Sequence, residues 1–391
     1  MAAPESATLS PFDRVNQEVS SHNEDSAFWW GALGQSLSTL LKSNHYGDDE
    51  QLYYLRWFYQ WITDSLGPRP VNNKPHYPSS FTYDGSPVEY SLNWKEKKDN
   101  QTVRFTTEPC SPKSGTAADI LNQQTAQDLL TSMGSDVQGI DLTRFNIFLS
   151  ETHVPNASAN ELLSKLPPGF PRARVLVAFD LERGNVVAKA YFNPGLKSIL
   201  TGVPVNTIVF DAIRKCNGPF GSYDASIEAL RGYLDPFGGA PEEPHIFMLS
   251  NDCVADSPAS RVKAYVSAPV TTLAKAREVF SLGGRLFGPV IEACLSAVSA
   301  FWRHVFGLSS SEPCLDDKVV LDAGSRCVFV FEMRPKGKHQ KEPDIEVKMH
   351  VPGSWLGKTD ALVCDSLSAW FQSHGHPGLA ARYQSDLVSA L

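Results

Sequence analysis

The chain has 391 residues, 42% hydrophobic and 20% charged, with a net charge of -8 at neutral pH. That balance is ordinary for a globular protein and argues against a general nucleic-acid binder, which needs a basic surface to hold phosphates. No run reaches the ~20 apolar residues of a membrane helix, and seven scattered cysteines (110, 216, 253, 294, 314, 327, 364), never in a C-x-x-C pair, read as reduced cytoplasmic thiols rather than disulfides or zinc ligands.

In chain order, residues 1–25 are polar and read as a flexible arm without a signal-peptide core, and 26–391 read as one domain. The sequons at Asn100 and Asn156 are idle matches in a cytoplasmic chain. From Ser26 to Ser43, Phe28, Trp29, Leu33, Leu37 and Leu40 recur at helical spacing. A second helix is predicted from Asp48 to Ser65, opened by acidic residues and closed by Gly67-Pro68. Pro- and Gly-rich breaks follow at 67–80, 111–115, 167–171, 236–244 and 335–343. Helical stretches also fit Ala118–Met133, Ser226–Leu234, Thr272–Leu282, Val290–Phe306 and Asp360–Ser373.

Between these lie short alternating segments. Arg104, Thr106 and Glu108 share one face of a strand; so do Lys189 and Tyr191; Arg261, Lys263 and Tyr265; and Glu346, Lys348 and His350. The phrases Lys189-Ala-Tyr-Phe, Lys263-Ala-Tyr-Val and Lys348-Met-His-Val repeat, and the basic positions 104, 189, 263 and 348 are 85, 74 and 85 residues apart. Helical sequence and at least one further strand fill each interval, so the repeat suits an α+β protein with a closed antiparallel sheet and helices outside. The apolar strand faces (Val262, Ala264, Val266; Val347, Met349, Val351) then pack on helices, and the faces bearing Arg, Lys, Tyr and Glu point into a lumen.

Arg104, Lys189, Arg261, Lys263 and Lys348 gathered in one cavity need neutralising, because an unpaired buried charge costs several kcal/mol. Glu89, Glu108 and Glu346 supply part of this, and a diphosphate is a natural ligand for the rest. Charge-assisted hydrogen bonds of ~1.5–3 kcal/mol each hold it without a metal ion. Tyr191 and Tyr265, two residues beyond the lysines, have faces that attract a cation when water is excluded.

The runs Ser86-Pro-Val-Glu89-Tyr-Ser-Leu-Asn-Trp94, Val103-Arg104-Phe105 to Glu108-Pro109, Lys189-Ala-Tyr-Phe-Asn-Pro-Gly-Leu-Lys197 and Arg261-Val-Lys-Ala-Tyr265 resemble the dimethylallyltryptophan-synthase-type fungal indole prenyltransferases. The resemblance spans Phe28 to the end and implies a ten-stranded antiparallel barrel built from repeated ααββ units (the ABBA fold). It implies that Arg104, Lys189, Arg261, Lys263 and Lys348 bind the diphosphate of dimethylallyl diphosphate, with no cofactor or metal. Tyr191, Tyr265 and His350 would shield the allylic cation, and Glu89 would accept the indole N–H. The reaction it implies is an electrophilic aromatic substitution on a small-molecule, tryptophan-derived acceptor, with no membrane partner.

Two departures stand out: His350 occupies the place of a shielding tyrosine, and one more period after 348 falls beyond Leu391, so the last strand pair is expected to be missing. Relatives that use free tryptophan tend to carry a charge on the strand holding Leu176, so this leucine points to a larger tryptophan-derived acceptor. A non-catalytic diphosphate-binding relative, or the same chemistry on a phenol, are the alternatives. Gly353-Ser-Trp-Leu-Gly357-Lys358-Thr359 is one residue short of a P-loop. The acidic groups at 48–50, 316–317 and 251–256, and His374 with His376, lack the paired clusters a metal site needs.

Overall fold

A computed structural model describes residues 9–19, 23–77, 79, 81–82, 85–94, 101–167, 170, 172–309, 315–322, 324–337, 340, 342–353 and 358–390. Helices and strand pairs alternate along the chain. Helices α1 (Pro11–Glu18), α2 (Glu24–Ser43) and α3 (Asp48–Trp61) precede β1 (Val88–Asn93) and β2 (Thr102–Thr107). Then come α4 (Gln124–Asp136), α5 (Thr143–Thr152), α6 (Ala159–Lys165), β3 (Val175–Glu182) and β4 (Asn185–Phe192). The third group is α7 (Gly195–Thr201), α8 (Val205–Arg214), α9 (Asp224–Leu234), β5 (His245–Asp252) and β6 (Val262–Pro269). The fourth is α10 (Leu273–Phe280), α11 (Pro289–Phe306), β7 (Arg326–Met333) and β8 (Ile345–His350), and α12 (Asp360–Ser373) and α13 (Pro377–Ala390) follow. Within each unit the strands pair in chain order.

The chain forms two compact units, Met1–Leu142 with Pro155–Ala190 and Asp386–Leu391, and Thr143–Val154 with Tyr191–Ser385. In the first, β1, β2 and β3 pair antiparallel, with Tyr90 opposite Phe105 and Phe105 opposite Phe179. Alternation sends Val103 and Phe105 to one face, where Phe105 meets Phe58 of α3 at 5.2 Å and Phe179 meets Trp57 at 5.0 Å. Tyr46, just before α3, donates its hydroxyl to the Leu181 carbonyl at 2.6 Å, fixing the helices over the strands. Gly184 turns β3 into β4 at φ +79°, a conformation that suits glycine.

Residues 11–18 correct the expectation of a flexible arm across 1–25. Ser10 caps α1 through Asp13 N, Pro11 opens it, and Val15 is fully buried. Phe12 stacks on Trp30 at 5.2 Å, and Glu18 takes a two-pronged contact from Arg56. Helix α4 starts later than predicted, because the Asp119 carboxylate accepts from Gln123 N and Gln124 N at 2.8 and 3.0 Å and caps the helix there.

In the second unit, β5 to β8 pair antiparallel. Val262, Ala264, Val266, Phe329 and Phe331 form its fully buried face, with Ile208, Val209 and Ile213 of α8 in the core. The β8 face is only half-buried, so the packing expected for Val347 and Met349 is partial there. The closed ten-stranded barrel expected from the sequence is corrected to eight strands among the described residues. After β8 the chain at 360–390 is helical, so no described segment supplies a fifth strand pair. The described cysteines are free thiols.

Phe105 is fully buried among Trp57, Phe58, Tyr90 and Phe179. Phe105→Ala is expected to cost about 3–5 kcal/mol, through lost transfer energy and the cavity left behind. Urea denaturation checks it: the midpoint falls, and an unchanged midpoint would remove this cluster from the core.

Candidate active site

The polar strand faces carry the predicted cations, and each unit holds its own group on carboxylates. In the first unit the β2–β3 register sets Arg104 opposite Asp180. Arg104 grips Asp180 with two nitrogens, Nη2 at 3.0 Å, and Lys189 Nζ bonds the same carboxylate. Lys189 is 3% exposed and Asp180 5%. Burial opposes the Asp180 charge, but Arg104 and Lys189 outweigh it and hold the carboxyl below the usual range.

In the second unit, Asp252 at the end of β5 accepts from Arg261 at 2.5 Å and Lys263 at 2.7 Å. Lys263 lies opposite Glu332, which lies opposite Glu346. Glu332 is fully buried and accepts from Arg261 at 3.2 Å, Arg334 at 2.9 Å and Lys348 at 3.3 Å. Arg334 and Lys348 also reach Glu346, at 3.1 and 3.5 Å. Burial again opposes charge, yet these two cations hold the Glu346 carboxyl below its usual range, and Asp252 and Glu332 hold the Arg261 guanidinium above its own despite burial.

Among the described residues, Arg104 and Lys189 therefore share Asp180 in the first unit, and Arg261, Lys263, Arg334 and Lys348 share Asp252, Glu332, Glu346 and Asp344 in the second. Each group is thus a set of basic side chains ordered on buried carboxylates along one strand face.

Tyr191 and Tyr265 come together edge to face, ring centroids 5.8 Å apart, and Phe247 approaches Tyr265 at 6.3 Å. Register separates what the repeated phrases aligned. Lys348 sits opposite Val330, itself opposite Tyr265, and His350 sits opposite Val328, one row beyond that tyrosine. His350 is exposed at the end of β8. Glu89 stands opposite Thr106 and diagonal to Arg104 on the same face of the first unit. Its side chain reaches solvent, but partial loss of hydration pushes the carboxyl above its usual range. Glu108, expected to neutralise the cations, is buried and takes its hydrogen bond from Ser79 Oγ at 2.5 Å. Burial pushes its carboxyl up.

Sequence reasoning missed Asp180, Asp252, Glu332 and Arg334. The signal for Asp180 and Glu332 was present: each is a lone acid inside an apolar strand, Val175–Leu181 and Cys327–Met333, where a charge demands a partner. Of the sites weighed against this one, residues 354–357 of the P-loop-like run lie outside the described residues. Asp48–Glu50 open α3, and Glu50 pairs with Arg183 at 2.9 Å. His374 stacks on Trp370 at 3.6 Å. Among the described residues, no three His, Cys, Asp or Glu side chains gather as metal ligands.

This fold is that of the ABBA aromatic prenyltransferases. The crystal structure of AnaPT from Neosartorya fischeri matches with a TM-score of 0.82 at 25% identity, covering 97% of this chain and 89% of that one. That of NotF in complex with brevianamide F and DMSPP matches with a TM-score of 0.81 at 24% identity, covering 98% and 90%. Prenyltransferase iacE of Pestalotiopsis fici is 51% identical over 378 residues, 96% of this chain and 85% of that protein. The 7-dimethylallyltryptophan synthase hasE of Aspergillus fumigatus is 30% identical over 392 residues, 96% and 81%. The family described as tryptophan dimethylallyltransferase matches residues 25–386, and the chain belongs to it: it is a prenyltransferase.

Asp180→Asn would remove the carboxylate charge that pairs with buried Lys189 and with Arg104, an expected loss of ~3–5 kcal/mol at pH 7. The folded Asp180 carboxyl lies below its unfolded value of about 3.9, so its contribution is complete above about pH 4. It is lost as pH falls through the depressed folded value. Denaturation at pH 7 and again near pH 2.5 should show the gap between wild type and variant shrinking in acid; a constant gap would count against the ion pair.

Proposed function

We propose that this enzyme transfers a dimethylallyl group from dimethylallyl diphosphate to the indole ring of a tryptophan-derived acceptor, without a metal ion. The observation that carries the reading is the set of basic side chains ordered on buried Asp252 and Glu332, with Lys263 on the same strand as Tyr265 of the paired tyrosines. The name of the 30% identical relative, a 7-dimethylallyltryptophan synthase, supports the donor and the acceptor class.

In this reading Arg104, Lys189, Arg261, Lys263 and Lys348 bind the diphosphate and supply the charge that a divalent cation would otherwise bring. The allylic C–O bond breaks, the electron pair leaves with diphosphate, and Tyr191 and Tyr265 face the cation, with His350 a further candidate for that role. Glu89 accepts the indole N–H hydrogen bond, which raises electron density in the ring. The ring attacks the allylic carbon, and loss of the ring proton to a base restores aromaticity. Leu176, half-buried and uncharged on β3, supports an acceptor larger than tryptophan itself.

Mass spectrometry of mixtures with dimethylallyl diphosphate and a panel of indoles and phenols, with and without EDTA, tests the proposal. An indole product heavier by one C5H8 unit and indifferent to EDTA is expected. Lys189→Ala or Arg261→Ala should lower kcat/KM by about 10- to 150-fold, the worth of one charge-assisted hydrogen bond of ~1.5–3 kcal/mol. Diphosphate binding with no product from any acceptor would overturn turnover, and a phenolic product alone would overturn the indole assignment.

A further inference from the structure

The polar face of the second unit continues past the tyrosines. Along β6 it carries Lys263, Tyr265 and Ser267, and along β7 Glu332, Val330, Val328 and Arg326. Lys263 and Ser267 are four residues apart, about 13 Å at ~3.3 Å per residue. The stretch between them is aromatic and apolar. Tyr265 meets the rings of Tyr191 and Phe247, and Val330 opposite it is 3% exposed. One end of this strip holds several cations, its middle is greasy, and its far end holds one arginine.

That arginine is built in. Arg326 stands opposite Pro269 and leans back so that Nε donates to Ser267 Oγ at 2.7 Å. Its Nη2 donates to the Ser267 and Glu243 carbonyls, both at 2.9 Å, and His245 Nδ1 donates to the same Glu243 carbonyl at 2.9 Å. These acceptors carry no formal charge, unlike the carboxylates that hold Arg104 and Arg261. The other terminal nitrogen, Nη1, has no partner among the described residues. Burial pulls the guanidinium below its ordinary pKa, and the more distant Glu243 and Glu242 charges restore only part of it. A half-buried guanidinium held rigid by neutral groups is poised for an anion.

We propose that Arg326, oriented by Ser267 and Glu243, binds a carboxylate carried by the aromatic acceptor. This rests on the prenyl-transfer reading above. The donor's diphosphate lies with the cations at the Lys263 end, and its five-carbon chain and the acceptor ring occupy the aromatic middle. A polar tail on the acceptor then reaches the far end, where the guanidinium offers Nη1. The acceptor class is thereby narrowed to indoles that keep an acidic group.

Indole-3-propionic acid and its amide differ only in that charge, and kcat and KM for both with dimethylallyl diphosphate test the idea. Wild type should show a KM for the acid about tenfold or more below that for the amide. Arg326→Gln should erase the difference through KM while leaving kcat and the amide unchanged, and Arg326→Lys should restore part of it. Equal KM values for acid and amide in wild type, or a Gln variant that weakens both alike, would overturn the assignment. So would loss of binding to dimethylallyl thiolodiphosphate in the Gln variant, which would mark Arg326 as a brace for the sheet. If wild type prenylates neither indole, the wider acceptor panel decides the proposed function, which fails only if that panel also gives no product. Isothermal titration of the two indoles then still decides the arginine, tighter acid binding supporting it and equal binding overturning it.

Discussion

Carboxylates buried in the sheet tie down the basic side chains of the strand faces, and the rest of the site depends on this. Asp180, Asp252 and Glu332 are at most 5% exposed, and none could stay ionised there alone. Each is therefore tied to at least two basic side chains. The same ties straighten long Lys and Arg side chains whose rotamer freedom would otherwise oppose binding. Ordering is thus completed during folding, and an arriving anion meets fixed donors. Replacing the carboxylates by apolar residues would remove the means of keeping Lys189 and Lys263 charged inside protein, whatever it did for stability.

Much of this was legible in the chain. The spacing of Arg104, Lys189, Lys263 and Lys348 placed β2, β4, β6 and β8, and Asp360–Ser373 matched α12 to the residue. Helices α5 to α8 escaped notice for a physical reason. Val205–Arg214 is rich in Val and Ile, poor helix formers, and is helical because Ile208, Val209, Ala212 and Ile213 bury one face. Helix α1 was hidden in a polar segment whose few apolar residues, Phe12 and Val15, find a partner only in the folded helices around them.

The site was legible by residue type but not by partner. A repeated lysine marks a strand face, whereas its counter-charge arrives from a neighbouring strand whose register no local pattern reveals. Arg104 finds Asp180 76 positions away, and Arg261 finds Glu332 at 71. The same limit moved Lys348 and His350: the phrases align them with Lys263 and Tyr265, and strand pairing shifts each by one row. Glu108 shows the converse, since a carboxylate on the expected face was claimed by Ser79.

The protein's charge of -8 still calls for explanation, because the donor is itself a polyanion. At physiological ionic strength, exposed charges are screened beyond roughly 8 Å, so the acidic exterior acts weakly at a distance. Part of it is also paired locally, as in Glu18 with Arg56 and Glu161 with Lys165. Charges set into protein are screened far less, and the cations tied to Asp180, Asp252 and Glu332 lie there. An anion therefore feels little repulsion on approach and strong attraction only near the sheet face. Surface acidity favours solubility without weakening the site. The two properties coexist because solvent separates the charges that would otherwise cancel.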